Sequence, residues 1–219
     1  MCNRVDNYGL SISEVSSELQ AEIIENNYYY AEEINAFQRP AIPVILEHEG
    51  RKITHATWGI NKYIPKDKPA KGINLTAEKA HTFYKKVENN RCIVPVTGFF
   101  DWMHVINPGK KTPLKVKHRM HCKDCDHFYI AAFYDVWDNK EIGFGLVTTV
   151  SNSLMSIVHN SKLRMPLCLD ARMADKFLND EPIEEFTFPT FDPKLVAVNL
   201  EPNKCHKPYF NGNNEFYNQ

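Results

Sequence analysis

Alternation of hydrophobic and polar positions predicts β-structure along most of the chain. Lys52-Ile-Thr-His-Ala-Thr-Trp58 alternates residue by residue, as a half-buried strand does. Arg39-Pro-Ala-Ile-Pro-Val-Ile-Leu46 carries two prolines before a β-branched run, which predicts an extended stretch or an edge strand. Further strands are predicted over 92–96, 114–118, 128–134, 142–150 and 195–200, separated by polar, glycine- or lysine-bearing loops.

Helical spacing is confined to short segments between these strands. Ser11-Ile-Ser-Glu14 is a capping-box pattern followed by apolar residues at helical spacing, and it predicts a helix over 13–26. Thr76 precedes a second such segment, which predicts a helix over 77–88. Two more helices are predicted, a short one after Ser151 and one over 171–178. The pattern therefore predicts an α+β protein, a single domain with a curved, mainly antiparallel, barrel-like β-sheet core flanked by helices.

The composition is that of a globular protein. Hydrophobic residues at 43% and charged residues at 24% exclude a disordered or coiled-coil chain, and 219 residues can bury a core without disulfides or metals. We predict one domain over 1–208 and a polar tail over 209–219. No apolar run approaches the roughly 18 residues of a membrane span, and the first residues lack a secretion signal, so we expect a cytoplasmic protein with no membrane contact.

The net charge of −1, from 26 basic and 27 acidic residues, produces no overall basic field. Nucleic-acid binding would therefore need a local patch. Lysines and arginines cluster over 61–71 and 110–123, near Tyr63, Trp58 and Trp102. Basic residues interleaved with aromatic ones can form a groove for a single strand. Ordinary solvated loops have the same composition, and both interpretations stay open.

Six cysteines occur, and in a reducing cytoplasm they are expected as thiols. Cys122 and Cys125, with His118 and His121 on the preceding segment and His127 after it, resemble half of a zinc site. A structural zinc site usually has four ligands, so the histidines would have to complete it. A solvated hairpin loop explains the pattern as well. We predict no cofactor, and zinc at this hairpin would be structural rather than catalytic.

Cys2 differs from the other cysteines by its position. Removal of Met1 is expected before a small second residue, and it would leave an amine of pKa about 8 beside a thiol of pKa about 8.5. This pair can act as an amidase-type nucleophile, with the amine as base for the thiolate. It can also capture an aldehyde, because the amine forms a Schiff base on which the thiol closes a thiazolidine ring. A cysteine at position 2 is also often without function.

Four other polar residues are candidates for chemistry. Asp101, in Gly98-Phe-Phe-Asp-Trp102, could be a general base whose pKa is raised by apolar neighbours, although an aspartate in a strand-to-loop turn explains it as well. His159 could donate a proton near neutral pH, and Arg164 could hold a phosphate. Asn74 lies just before the predicted helix, where asparagine is commonly a cap or turn residue.

Taken in order, several motifs resemble those of the SRAP (SOS-response-associated peptidase) family. Met-Cys-Asn-Arg4 is similar to the family's Met-Cys-Gly-Arg start. Arg91-Cys-Ile-Val-Pro-Val-Thr-Gly-Phe-Phe-Asp-Trp102 is similar to its Arg-Cys-Leu-x-Pro-x-x-Gly-Phe-Tyr-Glu-Trp. The other matches are Trp58-Gly59 with Pro65, Asn74-Leu-Thr-Ala-Glu78, Ile130–Trp137, Thr148-Thr149-Val-Ser-Asn152, and His159 with Arg164-Met-Pro166. The resemblance spans nearly the whole chain, and the ordered combination is far more specific than any single motif.

The resemblance implies an enzyme of the DNA damage response that acts on abasic sites in single-stranded DNA, without a cofactor. Members of the family shield such sites by crosslinking to them, here through a thiazolidine between Cys2 and the aldehyde of the opened sugar. Self-removal of Met1 would account for the peptidase in the family name. The implied catalytic residues are Cys2, Asn74, Asp101 and His159, and the implied DNA contacts are Arg4, Pro40, Trp58, Trp102 and Arg164.

The chain departs from the family pattern at several positions. Asn3 replaces a glycine beside the reactive terminus, and Thr76 replaces an arginine that would contact phosphate. Asp101 replaces a glutamate, and the shorter side chain can cost about 10²-fold in rate if nothing compensates. Four residues, 160–163, precede Arg164 where the family often has one after its histidine.

Two other functions are compatible with the sequence. One is a cysteine peptidase or amidase of the N-terminal-nucleophile kind, which works through an acyl-thioester and needs no aldehyde. The other is a noncatalytic module for single-stranded nucleic acid, which is favoured if Asp101 does not reach Cys2. The covalent product separates all three functions.

Overall fold

The computed structural model describes residues 2–25, 27–61 and 72–205, which form fourteen β-strands and three α-helices. The strands are β1 (Arg4–Asp6), β2 (Glu22–Ile23), β3 (Ile34–Asn35), β4 (Ala41–Glu47), β5 (Arg51–Trp58), β6 (Asn74–Thr76), β7 (Arg91–Val96), β8 (Gly98–Val105), β9 (Leu114–Cys122), β10 (Phe128–Val136), β11 (Ile142–Val150), β12 (Arg164–Pro166), β13 (Cys168–Leu169) and β14 (Leu195–Asn199). The helices are α1 (Ile12–Leu19), α2 (Ser153–Val158) and α3 (Ala171–Leu178). Short 3-10 helices cover Ala36–Gln38, Ala77–Lys79, Ile183–Phe186 and Pro202–Lys204.

The larger sheet closes on itself, which confirms the predicted barrel-like core. Its strands β11, β10, β7, β4 and β5 pair antiparallel in that order, and β5 then returns to β11 as a parallel neighbour. At the closure Thr57 lies opposite Gly143, and Trp58 lies opposite Phe144. A Cβ at Gly143 would stand 2.8 Å from the carbonyl oxygen of Gly59, so the close approach of these two strands requires a glycine.

The second sheet packs on the barrel and encloses the first of two apolar cores. Its strand order is β14-β9-β8-β1-β3. Phe99 of this sheet meets Phe128 of the barrel edge to face, with ring centroids 6.3 Å apart, and fully buried Cys2 belongs to the same core. The second core lies under α1 and α3, where Phe133 stacks on Phe177 at 6.4 Å. The site described below therefore forms where the two sheets meet.

Two helix predictions need correction. Ser11 caps α1 as predicted, by accepting a hydrogen bond from the Glu14 N–H, but the helix stops at Leu19 because Gln20 adopts a left-handed conformation with φ of 53°. The predicted helix over 77–88 is wrong, since only the 3-10 helix Ala77–Lys79 forms there. Thr76 makes no side-chain capping bond, and Phe83 of the expected apolar face is 78% exposed, so little packing would stabilise a longer helix.

Among the strand predictions, the edge position of the proline-bearing segment is wrong. β4 lies inside the sheet between β5 and β7. Its ladder to β7 contains Ile45 and Leu46 only, whereas Pro43 pairs with His55 of β5. The proline therefore lies beyond the β7 ladder, where its missing N–H interrupts no bond to that strand. The other predicted strands and the helix over 171–178 are confirmed, with bounds shifted by a few residues in several strands.

Some predictions fall outside the described residues. The basic cluster at 61–71 lies there almost entirely, as do Tyr63, Pro65 and the tail over 209–219. The domain boundary at 208 stays a prediction. Among the described residues, no helix is both long enough and apolar enough to span a bilayer.

Trp58 stabilises the closure of the barrel, and its replacement tests this contribution to stability. The side chain is fully buried, stacks on Phe144 with ring centroids 6.0 Å apart, and donates from Nε1 to the Ile73 carbonyl at 3.0 Å. We expect Trp58→Ala to lower the free energy of unfolding by about 3–5 kcal/mol, because it leaves a cavity in the core. Chemical denaturation measures this loss. Phe83→Ala, at the exposed ring, is the control and should change stability by less than about 0.5 kcal/mol.

Candidate active site

Cys2 lies at the junction of the two sheets, with Asn3 between it and β1. Its carbonyl oxygen accepts a hydrogen bond from Asn74 Nδ2 at 2.7 Å, and its thiol lies 3.5 Å from the carbonyl oxygen of Arg4. Asn74 begins β6, which runs parallel to β11 of the barrel with Asn74 opposite Leu146. Through Asn74, the barrel thus positions the backbone of Cys2, which lies next to the other sheet. The structure brings the predicted Asn74 and Cys2 together.

The environment of Cys2 keeps its thiol protonated. Burial raises the pKa of the Cys2 thiol to about 12, and the negative charge of Asp101 acts in the same direction. A thiolate at this position is therefore scarce near neutral pH, so the group needs a base when it reacts. Asp101, whose charge acts on this thiol, is the candidate for that base.

Asp101 lies in the middle of β8, not in a strand-to-loop turn. Alternation along the strand turns its side chain inward with Phe99 and Met103, and it is 5% exposed. Oδ1 accepts a hydrogen bond from the Trp102 N–H at 2.9 Å, while Oδ2 is buried without a hydrogen-bond partner among the described residues. Oδ2 lies 3.6 Å from Nδ1 of His159. A buried carboxylate oxygen with spare acceptor capacity is the feature expected of a general base.

His159 follows α2 and faces Asp101. Its Nδ1 lies 2.7 Å from the carbonyl oxygen of Arg164, and because a carbonyl only accepts, Nδ1 carries the proton. Burial lowers the pKa of His159, although Asp101 and the bond to Arg164 act to raise it. The neutral tautomer leaves Nε2 as the basic nitrogen. The histidine is 4% exposed, so it belongs to the site and not to a solvated rim.

The longer spacer between His159 and Arg164 folds into a turn that preserves their contact. The N–H of Leu163 donates to the His159 carbonyl at 3.0 Å, and Leu163 has a φ of 53°. Asn160 fastens the turn to β8 through two 2.9 Å hydrogen bonds with the backbone of His104. The sequence departure is therefore absorbed locally, and it leaves the histidine beside Asp101.

A basic cleft opens over these groups. It has a volume of about 360 Å³ and is lined by Asn3, Arg4, Asp101, Trp102, His104, Lys115, His159, Ser161 and Lys162. The lining carries several cationic side chains but one carboxylate, that of Asp101. This excess of positive charge favours a polyanionic ligand. Sequence reasoning missed Lys115 and Lys162 as individual residues. The composition of the 110–123 segment signalled the first, but only the pairing of β8 with β9 brings it opposite His104.

The predicted DNA contacts lie in different surroundings. Arg4 and Trp102 line the cleft, with the guanidinium 5.5 Å from the centre of the indole ring. Trp58 is fully buried in the barrel and does not line the cleft, so its predicted contact with DNA gains no support from the structure. Pro40 is half-buried and its carbonyl accepts from the Trp58 N–H at 2.9 Å; it does not line the cleft, and its DNA contact stays a prediction.

Arg164 is already engaged by the protein. Its guanidinium makes a bidentate pair with Glu78 at 2.9 and 3.0 Å and donates to the Thr148 carbonyl at 2.6 Å. This pairing joins β12, whose Arg164 carbonyl accepts from His159, to the segment after β6, the strand that begins with Asn74. A role in holding phosphate would require Arg164 to leave Glu78.

The structure does not assemble the hypothesised zinc site. Cys122 and Cys125 form a disulfide with Cα atoms 5.5 Å apart, so the expectation of free thiols is wrong for this pair. His118 is buried opposite Asp101, whereas His121, three positions along the same strand, faces the other side. Among residues 2–25, 27–61 and 72–205, no group of three or more histidine, cysteine or acidic side chains is placed to hold a metal ion.

Comparison with known proteins gives one family and several relatives. The family model described as SOS response associated peptidase (SRAP) matches residues 1–198. "Abasic site processing protein YoqW" of Bacillus subtilis (strain 168) is 27% identical over 170 residues, which cover 74% of this chain and 69% of the relative. "Abasic site processing protein YobE" of the same organism is 26% identical over 147 residues, covering 63% of this chain and 64% of the relative.

Solved structures show the same fold. A protein from Bacteroides thetaiotaomicron matches with a TM-score of 0.71 at 25% identity, over 94% of this chain and 95% of the other. A protein from Bordetella bronchiseptica matches with a TM-score of 0.68 at 16% identity, over 91% and 99%. The second likeness concerns the fold alone.

The raised pKa of Cys2 predicts slow alkylation. A rise from 9.0 to about 12 lowers the thiolate population at mildly alkaline pH by about 10³, so iodoacetamide should modify Cys2 far more slowly than the partly exposed Cys205. The rate at Cys2 should keep rising with pH above 9.0, because the thiol titrates only near 12. Peptide mapping after timed labelling measures both rates. Equal labelling of the two cysteines near pH 8 would contradict this assignment.

Proposed function

Because this chain belongs to the SOS response associated peptidase (SRAP) family, we propose that it processes abasic sites in DNA, as the names of YoqW and YobE say of those proteins. The substrate in this proposal is single-stranded DNA with an abasic site, and the product is a thiazolidine crosslink to Cys2. One observation carries it: Asn74 anchors buried Cys2, whose thiol feels the charge of Asp101, and Asp101 pairs with His159 in the lining of a basic cleft.

The first step opens the sugar and joins it to the protein. Removal of Met1 turns the backbone nitrogen of Cys2 into an amine. Because burial lowers the pKa of His159, the histidine rests neutral and first takes up a proton from solvent, which the charge of Asp101 favours. It then donates this proton to the ring oxygen, the bond from C1′ to that oxygen breaks, and the C1′ hydroxyl loses its proton to solvent, which leaves the aldehyde. The amine attacks C1′, Asp101 carries a proton from the nitrogen to the carbinolamine hydroxyl, and water leaves to form an imine, with Asp101 again a carboxylate.

The second step closes the ring. The Cys2 thiol adds to the imine carbon, and its proton passes through the Asp101 carboxylate to the imine nitrogen. Amine and aldehyde together lose one water, the thiol adds without further loss, and no oxidant or reductant is needed. A thiol with a pKa of about 12 is delivered with its proton, so a carboxylate close to the sulfur is required at this step.

The cleft supplies the contacts for the strand. Arg4, Lys115 and Lys162 are placed to bind phosphates, and the Trp102 ring can stack on a base. His104 also lines a neighbouring depression of about 340 Å³ that carries Lys110 and Lys111 among its lining residues. The two depressions share this histidine, so they offer a continuous path for a strand longer than the abasic nucleotide.

The two alternatives make different products. A cysteine peptidase or amidase must attack a carbonyl with a thiolate, and the raised pKa of Cys2 disfavours that ion in the resting site. A noncatalytic module would bind DNA through the same cations without any adduct. Both alternatives therefore fail to yield a lesion-dependent covalent complex.

Intact mass measurement tests the proposal directly. Protein shown to lack Met1 is mixed with a single-stranded oligonucleotide that carries one abasic site, and we expect a complex heavier by the oligonucleotide minus one water. Cys2→Ser keeps the amine but not the thiol, so its adduct should survive only after reduction of the imine with borohydride. An undamaged strand is the substrate control. The absence of any adduct with wild-type protein would refute the crosslinking function.

Asp101 is the next residue to test. We expect Asp101→Asn to slow crosslinking by about 10²–10⁴-fold, because the amide cannot shuttle protons. Asp135→Asn makes the same substitution at an exposed position on β10 and should leave the rate unchanged. Timed denaturing gels give both rates. A wild-type rate in Asp101→Asn would remove the carboxylate from the mechanism.

A further inference from the structure

Glu33 lies between two cations beside the cleft. One carboxylate oxygen accepts from Arg4 and the other from Nζ of Lys117. All three side chains are between a fifth and a third exposed, so the cluster is open to solvent from one side. Glu33 directly precedes β3, the edge strand of the smaller sheet. None of the catalytic steps above uses this carboxylate.

The two cations lie on an aromatic surface of β8. Lys117 of β9 stands opposite Trp102 in the ladder, with Nζ 6.0 Å from the Trp102 ring and 4.5 Å from the Phe100 ring. Arg4 of β1 reaches the same indole from the other side of β8, at 5.5 Å. Glu33 thus holds both cations against the ring that a DNA base would stack on.

The charge of Glu33 is maintained by its partners. Burial alone would raise the pKa of Glu33, but hydrogen bonds and charges from Lys117 and Arg4 outweigh it and lower the pKa. The group is therefore an anion at neutral pH. The Glu33 carboxylate presents two oxygen acceptors to two cationic donors. A backbone phosphate presents the same pair of acceptors.

We propose that Glu33 is a built-in competitor of the DNA phosphate, seated between Arg4 and Lys117 in the free protein. This inference rests on the proposed function. A strand that enters the cleft places a phosphate on these two cations, displaces the carboxylate and frees the Trp102 ring for a base. Competition from Glu33 therefore weakens the affinity of the cleft for DNA. Binding is favoured only for a strand that places a phosphate on the two cations and a base on the Trp102 ring together.

Equilibrium binding tests the proposal without the covalent step. The probe is a short fluorescent oligothymidylate with a central tetrahydrofuran residue, which has no aldehyde and so cannot crosslink. We expect Glu33→Gln to bind it about tenfold more tightly at low salt in fluorescence anisotropy. The slope of log affinity against log salt should steepen by no more than about 0.7, because the two cations hold one phosphate and each phosphate contact of a single strand contributes about 0.7.

Three variants separate competition from other effects. Glu47→Gln changes the net charge equally and breaks an ion pair with Arg51 at 3.1 Å, but lies in the barrel hairpin, so its affinity should equal that of wild type. Glu33→Asp keeps the charge and should bind nearly as wild type does. Adding Lys117→Met to Glu33→Gln should remove part of the gain. Thermal melts confirm that each variant is folded.

The outcomes are distinct. Unchanged or weaker binding by folded Glu33→Gln would overturn the inference, since it would show that Glu33 only positions Arg4 and Lys117. If wild type still crosslinks an abasic strand in that case, the proposed function stands. Wild-type protein that neither binds the probe nor crosslinks would overturn the proposed function and this inference with it.

Discussion

The hydrogen bond from Asn74 to the carbonyl of Cys2 is the contact on which the site depends. It ties the first residues, next to the smaller sheet, to a strand of the closed barrel, so the geometry around Cys2 is set by both sheets. Asn74 holds this position because β6 runs beside β11. Trp58, at the barrel closure, donates a hydrogen bond to the carbonyl of Ile73, the residue before Asn74. Stability of the barrel and placement of the reactive residue are therefore linked.

Desolvation determines the protonation states of this site. Burial raises the pKa of the Cys2 thiol and lowers that of His159, so both groups rest neutral beside the Asp101 carboxylate. A thiol stored in this form is protected from unwanted reactions, and in the proposed mechanism it needs the carboxylate at ring closure. Asp101 is one methylene shorter than the family glutamate, but its position on a buried strand brings it within 3.6 Å of His159.

At the surface of the site, the arginine side chains form ion pairs with glutamates. Arg4 and Arg164 were both predicted as phosphate contacts, and each is paired with a glutamate, Glu33 or Glu78. The two pairs are not equivalent. Arg164 is anchored in addition by the Thr148 carbonyl and supports the barrel side of the site, whereas Arg4 lies on the open face of Trp102. Under the proposed function, this difference makes the Glu33 pair the one that a bound strand would exchange.

The sequence by itself predicted the α+β barrel-like fold and most of the strands, because alternation depends on neighbours along the chain, and its ordered motifs pointed to Asn74, Asp101 and His159 as partners of Cys2. Only the tertiary structure decided that Trp58 belongs to the core, that residues 77–88 form no long helix and that Cys122 pairs with Cys125. It alone also brought Lys115, Lys162 and Glu33 to the cleft region. Burial and cross-strand register arise from residues far apart in sequence, and no local pattern records them.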